Sequence, residues 1–214
     1  MMDRINEIVL ASTNHGKLTE LRQMLAKCSG TLGAIRVRSL DEFGPLAEAP
    51  EDEATLEENA RSKALYYAQR LDRWVVADDS GLEVDALGGA PGVLSARFAE
   101  PAPGGRKEQD AANNAKLLGL LAQVSQEQRT ARFRCCLCLA QPGKVVLEAR
   151  GAVEGRIGHE PRGSNGFGYD PIFFVPDKGK MVAELGPDEK NAISHRGRAL
   201  RALCDQLEAM LAQQ

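Results

Sequence analysis

The spacing of hydrophobic residues divides the chain into alternating short strands and amphipathic helices. An apolar run at residues 8–10 predicts a strand, and Leu18, Leu21, Leu25 and Cys28 then recur at the spacing of one helix face. A second helix is expected to begin at the Thr55–Glu58 capping box and to run to about Leu71. Two later helices, the last starting near Ser194, would bury the following residues: Leu117, Leu120, Leu121 and Val124 in one, and Leu200, Leu203, Leu207 and Leu211 in the other.

The predicted strands indicate an α/β fold. Residues 74–77 form a short apolar strand, and residues 130–140 and 144–153 form two strands joined by a turn at Gln141-Pro142-Gly143. Strands alternate with helices early in the chain, and paired strands come late. We therefore expect a mixed β-sheet flanked by helices, with the later strands forming a second lobe.

Composition and charge exclude several classes of protein. The 214 residues suit one sizeable domain or two lobes that share a core. A formal net charge of −3 lacks the excess of Lys and Arg that a long nucleic acid requires, so we expect a small nucleotide instead of a polymer. No apolar run approaches the ~20 residues that span a bilayer, and no signal peptide is apparent. The sequence predicts a cytoplasmic protein that does not enter a membrane.

The cysteines do not predict a metal site. No histidine lies near them in sequence to complete a zinc site, and the "RFRCCLCLA" stretch alternates like a strand. We expect reduced cysteines packed as small hydrophobic residues. The residues concerned are Cys28, Cys135, Cys136, Cys138 and Cys204.

Adjacent carboxylates, Asp78 and Asp79, follow the strand at residues 74–77, before the Ser80-Gly81 turn. Two buried negative charges are costly unless a cation or hydrogen-bond donors compensate them. Neighbouring strand residues point to opposite faces, so one aspartate is expected to face a cleft while the other anchors the turn. An Asx-turn before Gly81 is the simpler alternative, but it explains only one of the two.

A hard cation such as Mg²⁺ would compensate this charge. Mg²⁺ prefers a few carboxylates together with phosphate oxygens of a substrate. The acidic stretch "EAPEDE" could supply a second carboxylate from Glu48, Glu51 or Asp52, although a solvated loop is an equal alternative.

The "ASTNHGK" stretch predicts an anion-binding turn. A helix N-terminus after a strand presents free backbone N–H groups, to which Ser12, Thr13 and Asn14 add side-chain donors and Lys17 adds a charge. Simple N-capping by Thr13 or Asn14 is the alternative.

Two later stretches suggest recognition of a nucleobase. In "GSNGFGYDPIFF", glycines flank Phe167 and Tyr169, whose rings could stack on a base, whereas Phe173 and Phe174 have the pattern of a strand interior. In "EKNAISHRGRAL", His195 and Arg196 form a cluster of unpaired donors close to Lys190 in sequence. Such donors could bind a carbonyl oxygen of a base or a phosphate.

Five stretches in order resemble the signature blocks of the inosine triphosphate pyrophosphatase family, in its bacterial branch. They are "ASTNHGK", "ENARSKA", "ADDSGLEVDALGGAPGVLSARF", "GFGYDPIFF" and "SHRGRAL", and they extend from residue 8 to about 201. The resemblance implies a single domain over residues 1–214, with an elongated mixed sheet, two lobes and an active site in the cleft between them. It also implies an Mg²⁺-dependent homodimer that hydrolyses ITP, dITP and XTP to the monophosphate and pyrophosphate.

The resemblance assigns roles residue by residue. Asp79 matches the proton acceptor and metal ligand, and Glu51 aligns best as the second metal ligand, with Glu48 as the alternative. The positions that match substrate contacts are Ser12, Thr13, Asn14, His15, Gly16, Lys17, Asn59, Lys63, Ser80, Phe167, Gly168, Tyr169, Asp170, Lys190, His195 and Arg196.

Base selectivity is expected to come from His195 and Arg196, which could donate to the C6 carbonyl of hypoxanthine or xanthine but not to the amino group of adenine. Two other functions remain open at the level of the sequence. One is a Maf-type pyrophosphatase for pyrimidine or methylated nucleotides, against which "GFGYDP" and "SHRGRAL" argue. The other is a nucleotide-binding regulator without hydrolysis, against which Asp79, Lys17 and Lys63 argue.

Overall fold

The structure, a computed structural model, describes residues 5–27 and 32–212. In these ranges the chain forms five α-helices and seven β-strands. The helices are α1 (His15–Lys27), α2 (Leu56–Leu71), α3 (Arg106–Leu120), α4 (Pro187–Ile193) and α5 (His195–Leu211). The strands are β1 (Glu7–Leu10), β2 (Arg36–Ser39), β3 (Val75–Val84), β4 (Thr130–Gln141), β5 (Lys144–Ile157), β6 (Phe173–Val175) and β7 (Lys180–Met181).

The strands pair in the order β2-β1-β3-β4-β5-β6-β7. β1 runs parallel to both β2 and β3, whereas β6 runs antiparallel to β5 and β7. The sheet is therefore mixed, and the predicted α/β class is confirmed. Among the described helices, none is long and apolar enough to cross a membrane.

The chain divides into two compact units. The first comprises residues 1–79, 135–151 and 196–214. Its core joins the apolar faces of α1 and α5, because Leu18 and Leu21 belong to the same buried cluster as Leu200 and Leu203. Cys135, Cys136, Cys138 and Cys204 are buried free thiols, as expected, and burial raises the pKa of the Cys138 thiol to about 12. Cys28 lies outside the described residues.

The second unit comprises residues 80–134 and 152–195. Its core includes Leu117 and Leu121 together with Phe173. Arg129 is only 2% exposed, and its guanidinium donates to the carbonyl oxygens of Leu121 at 2.6 Å and Gly158 at 2.7 Å. The buried cation thus binds the carbonyl groups of Leu121 and Gly158, and these hydrogen bonds compensate its loss of solvation.

Three predictions about elements were wrong. β3 does not end at residue 77 but continues through both aspartates to Val84, so no turn lies at Ser80-Gly81. Leu120 is 52% exposed, because α3 ends at this residue. The short helix α4 was not expected. The N-cap at Thr55 and the end of α2 at Leu71 are confirmed, but the predicted capping box is only half formed, because the Glu58 carboxylate binds the Thr55 hydroxyl and not its backbone N–H.

Candidate active site

In the first unit, the turn before α1 is closed by Asn14. Its Oδ1 accepts the N–H groups of Gly16 at 2.9 Å and Lys17 at 3.3 Å, and its own N–H donates to Ser12 Oγ at 3.1 Å. Asn14 is therefore the N-cap, the role that the sequence left open between Thr13 and Asn14. The amides of Gly16 and Lys17 are engaged within the chain, so the expected set of anion-binding amides is smaller than the sequence suggested.

Asp78 is the centre of a buried cluster of charges in this unit. Its carboxylate, 3% exposed, accepts from Lys17 Nζ at 2.9 Å and from Arg196 Nε at 3.4 Å. Burial alone would raise the pKa of the Asp78 carboxyl, but the charges of Lys17 and Arg196 outweigh it and hold the pKa well below its usual range. Asp78 is consequently a permanent anion that draws residues from α1 and α5 to β3.

This cluster corrects two predictions. Asp78 was expected to anchor the turn after the strand, whereas it binds two cationic side chains. Arg196 was expected to be an unpaired donor, whereas it pairs with Asp78 and also with Glu20 at 3.4 Å. Burial by itself would lower the pKa of Arg196, but Asp78 above all raises it beyond its ordinary value. Neither partner could be found from spacing, because residues 17, 20, 78 and 196 meet only in the folded chain.

Asp79 has a different environment from its neighbour. Its Oδ2 accepts from Asn59 Nδ2 at 3.0 Å, and Asn59 Oδ1 in turn accepts the N–H of Glu53 at 3.1 Å. Asn59 is 1% exposed, and both bonds fix the orientation of its amide. A neutral donor thus positions Asp79.

Lys63, one helical turn after Asn59, links the acidic loop to β3. Its Nζ donates to the Asp78 carbonyl oxygen at 3.4 Å and forms an ion pair with Glu51. Burial alone would lower the pKa of Lys63, but the bond to Glu51 and the nearby aspartates raise it. The prediction that Asn59 and Lys63 project from one face of the helix is confirmed, and Glu51 lies at this face whereas Glu48 is exposed.

The carboxylates of this unit suit Mg²⁺, which takes part of its ligands from water and substrate, better than a metal ion whose ligands all come from the protein. Within residues 5–27 and 32–212, no group of three or more histidine, cysteine and acidic side chains is placed to hold a metal. Asp79 and Glu51 nevertheless each bind a side chain of the same α2 face, Asn59 and Lys63 respectively. Two carboxylates fit Mg²⁺, which keeps several waters and takes substrate phosphates as further ligands.

In the second unit, an exposed aromatic ring lies beside an ion pair. The Phe167 ring is 56% exposed, and Lys190 Nζ lies 4.5 Å from its centroid. Asp170 binds Lys190 at 2.5 Å and accepts the Phe167 N–H at 2.8 Å. Burial raises the pKa of the Asp170 carboxyl even though Lys190 opposes this shift. The structure thus brings together three residues that the sequence placed in the base site.

Tyr169 does not provide the expected stacking surface. Its side chain is 4% exposed and belongs to the core of the second unit, where its hydroxyl donates to the Ser95 carbonyl oxygen at 2.8 Å. Gly168 lies between the two residues with φ +62°, and this left-handed turn separates the exposed ring of Phe167 from the buried ring of Tyr169.

The remaining predicted residues have the following positions. His195 stacks on Phe133, with ring centroids 5.2 Å apart and planes inclined by 16°. Ser80 is half-buried in β3, Thr13 is exposed, and exposed His15 lies 3.9 Å from Asp41.

Comparisons with known proteins agree with this fold. Residues 8–206 match the Ham1 family. The dITP/XTP pyrophosphatase of Geobacillus kaustophilus is 47% identical over 207 residues, covering 97% of either chain. That of Bacillus subtilis is 47% identical over 96% of this chain and 98% of its own.

Solved structures give the same result. The Ham1 protein of Staphylococcus aureus superimposes with a TM-score of 0.83 at 38% identity, over 95% of this chain and 99% of that one. The dITP/XTP pyrophosphatase of Mycobacterium abscessus gives a TM-score of 0.76 at 43% identity, over 92% and 98%. The fold is thus that of nucleotide-hydrolysing α/β proteins, and this chain belongs to the Ham1 family. The resemblance inferred from the sequence blocks is confirmed.

Proposed function

We propose that this protein hydrolyses the non-standard purine nucleotides ITP, dITP and XTP to the monophosphate and pyrophosphate, and so removes them from the nucleotide pool. Membership of the Ham1 family and the dITP/XTP pyrophosphatases that match nearly the whole chain support this activity. The observation that carries the proposal is that two different carboxylates are adjacent in β3. Asp79 accepts a hydrogen bond from the amide of Asn59, whereas Asp78 is bound by the cations Lys17 and Arg196.

The cationic cluster suits a triphosphate. Lys17 and Lys63 are held by carboxylates in the structure, and a triphosphate would supply further anionic oxygens to the same ammonium groups. Their positions are fixed before the substrate binds, so they need little reorganisation as charge develops in the transition state.

Asp79 is proposed to act as general base. It would accept a proton from the water that attacks the α-phosphorus, while the bond from the α-phosphorus to the bridging oxygen breaks and pyrophosphate leaves. The hydrogen bond from Asn59 orients the carboxylate without adding a formal positive charge. Mg²⁺ bound by Asp79 and Glu51 would neutralise the charge of the phosphates and acidify the attacking water.

The base is proposed to bind at the exposed ring of Phe167, with Lys190 and Asp170 beside it. Stacking on an aromatic face contributes about 1–3 kcal/mol per base. Donors from Lys190 and His195 would favour the C6 carbonyl of hypoxanthine or xanthine over the amino group of adenine. Arg196 is bound to Asp78 and Glu20, so it is proposed to support the site chiefly by stabilising this ion-pair cluster and not by binding the base.

We further infer from the family a homodimer that acts in the cytoplasm. Sedimentation at micromolar concentration should give twice the mass of the chain. A monomer under these conditions would contradict the dimer without affecting the proposed chemistry.

The activity is tested by incubating the purified chain with ITP, dITP, XTP, ATP and GTP in Mg²⁺. We expect IMP and pyrophosphate from ITP, at a kcat/KM at least about 100-fold above that for ATP. Excess chelator should abolish turnover, and added Mg²⁺ should restore it. Orthophosphate as the product, or equal turnover of ATP, would contradict the proposed function.

A further inference from the structure

Helix α3 binds both backbone polar groups of Gly168. Asp110 Oδ2 accepts the Gly168 N–H at 2.8 Å, and Asn114 Nδ2 donates to the Gly168 carbonyl oxygen at 3.0 Å. Asp110 and Asn114 are four residues apart, so they project from one face of the helix. An acceptor and a donor on that face thus match the donor and acceptor of a single residue in another segment.

This pair of contacts adds to the hydrogen bonds that the turn forms within itself, such as that from the Phe167 N–H to Asp170 at 2.8 Å. Gly168 has φ +62°, the left-handed conformation that favours glycine. The Phe167 ring before it is 56% exposed, so packing holds that ring only in part. The direction of the ring must come from the backbone of the turn.

The turn carries the proposed base site. Phe167 offers the exposed ring, Asp170 accepts the Phe167 N–H at 2.8 Å, and Tyr169 donates to Ser95 O at 2.8 Å. Burial foremost, and also the charge of Asp110, raises the pKa of both Asp170 and Tyr169. Helix α3 therefore supports the turn at Gly168, directly after the residue that carries the exposed ring.

We propose that Asp110 and Asn114 are positioning residues for base recognition, which hold the Phe167-Gly168-Tyr169 turn so that the Phe167 ring is presented to the purine. Only 13% of the Asp110 side chain and 8% of Asn114 are exposed, and both bind Gly168, while Asp110 also pairs with Arg106 Nε at 3.3 Å through its other oxygen. This role rests on the proposed function, and it makes α3 a determinant of selectivity.

Three substitutions separate this role from simple stabilisation. Asp110→Ala removes the acceptor, and Asn114→Asp replaces the donor with an oxygen that repels the Gly168 carbonyl. Asp110→Asn keeps an oxygen that can accept the Gly168 N–H, so this variant should retain the orientation of the turn. The matched control is Gln109→Ala, since Gln109 lies on the same helix but binds the Ala102 N–H at 2.9 Å, in a different segment.

We expect Asp110→Ala and Asn114→Asp to raise the KM for ITP about tenfold and to leave kcat within about twofold. The ratio of kcat/KM for ITP over ATP should fall about tenfold, because the turn also carries Asp170, which binds Lys190, a donor proposed to recognise the C6 carbonyl. Lys17, Lys63 and Asp79, proposed to act on the phosphates, belong to the first unit. Gln109→Ala should keep the wild-type KM and selectivity, and Asp110→Asn should lie close to wild type.

Circular dichroism at the assay temperature confirms that each variant is folded, and hydrogen exchange of residues 166–170 reports on the turn. Faster hydrogen exchange of residues 166–170 in a variant that also has a raised KM would support the proposal that Asp110 and Asn114 position the turn. Wild-type KM and selectivity in both folded variants would overturn this role while the proposed function stands. A wild-type chain that does not hydrolyse ITP would overturn the proposed function, and with it a role in selectivity.

Discussion

Asp78 and Asp79 are adjacent in β3 yet have different chemical environments. Successive strand residues point to opposite sides, so one carboxylate meets Lys17 and Arg196 while the other meets the amide of Asn59. Protonation of Asp78 would break two ion pairs, which makes it a poor base. Asp79 instead accepts a hydrogen bond from the neutral amide of Asn59, which leaves it as the candidate base of the pair.

At the residue scale, Asp79→Asn should lower kcat for ITP by about 10²–10⁴-fold, because the amide cannot accept the proton of water. The substitution preserves size, so the protein should fold and should still bind ITP. Steady-state kinetics and calorimetric binding measure the two effects.

The control for this prediction is Asp85→Asn. Asp85 directly follows β3 and pairs with Arg132 at 2.8 Å in the second unit, so its loss removes one carboxylate without affecting the proposed base. It should retain wild-type kcat. A near-normal kcat in Asp79→Asn would exclude Asp79 as the base.

At the scale of elements, α2 delivers Asn59 and Lys63 to β3. The helix begins at Thr55, whose Oγ1 accepts the Glu58 N–H at 3.1 Å. The 3.6-residue period of the helix then places residues four apart on one face. A short sequence signal thus fixes the register of two functional side chains.

Thr55→Ala should lower the free energy of unfolding by about 1 kcal/mol, because one N-terminal amide of α2 loses its acceptor. For a chain of this size the melting temperature should fall by about 3 °C. Thr19→Ala is the control, since Thr19 is an exposed mid-helix residue whose hydroxyl donates to the His15 carbonyl oxygen without capping. Equal melting temperatures for Thr55→Ala and wild type would show that the cap contributes nothing.

At the scale of the whole molecule, Asp78 should make stability depend on pH. The pKa of the native carboxyl lies below its ordinary value of about 3.9, so the unfolded chain takes up the proton first as the pH falls. The ion pairs of Asp78 therefore add fully to the free energy of unfolding when the pH is above about 3.9. This stabilisation is lost as the pH falls from about 3.9 toward the lower pKa of the native carboxyl. Asp78→Asn should therefore cost about 3 kcal/mol at pH 7.

Urea unfolding from pH 7 to pH 3 tests this dependence. The difference between wild type and Asp78→Asn should shrink by about 1 kcal/mol by pH 3, from titration of the unfolded carboxyl alone. Asp205→Asn, an exposed change on α5, should differ from wild type by less than about 0.5 kcal/mol at every pH. A difference for Asp78→Asn that does not vary with pH would contradict the ion-pair explanation.

The sequence by itself determined the elements and much of the candidate chemistry. Hydrophobic periodicity predicted α1, α3 and α5, and the capping signal at Thr55 predicted the start of α2, because these signals act over a few residues of the chain. The five sequence blocks identified the family. The polar pair at residues 78 and 79 hid the continuation of β3, since buried charge is tolerated in a strand only when distant partners neutralise it.

Only the tertiary structure decided which side chains meet. It brought Lys17, Asp78 and Arg196 together from α1, β3 and α5, and it placed Tyr169 in a core. It also joined Asp110 and Asn114 to Gly168 across more than fifty residues of sequence. Local patterns record propensity and periodicity over a few residues, whereas the partners of a charge or a backbone amide depend on how distant segments pack.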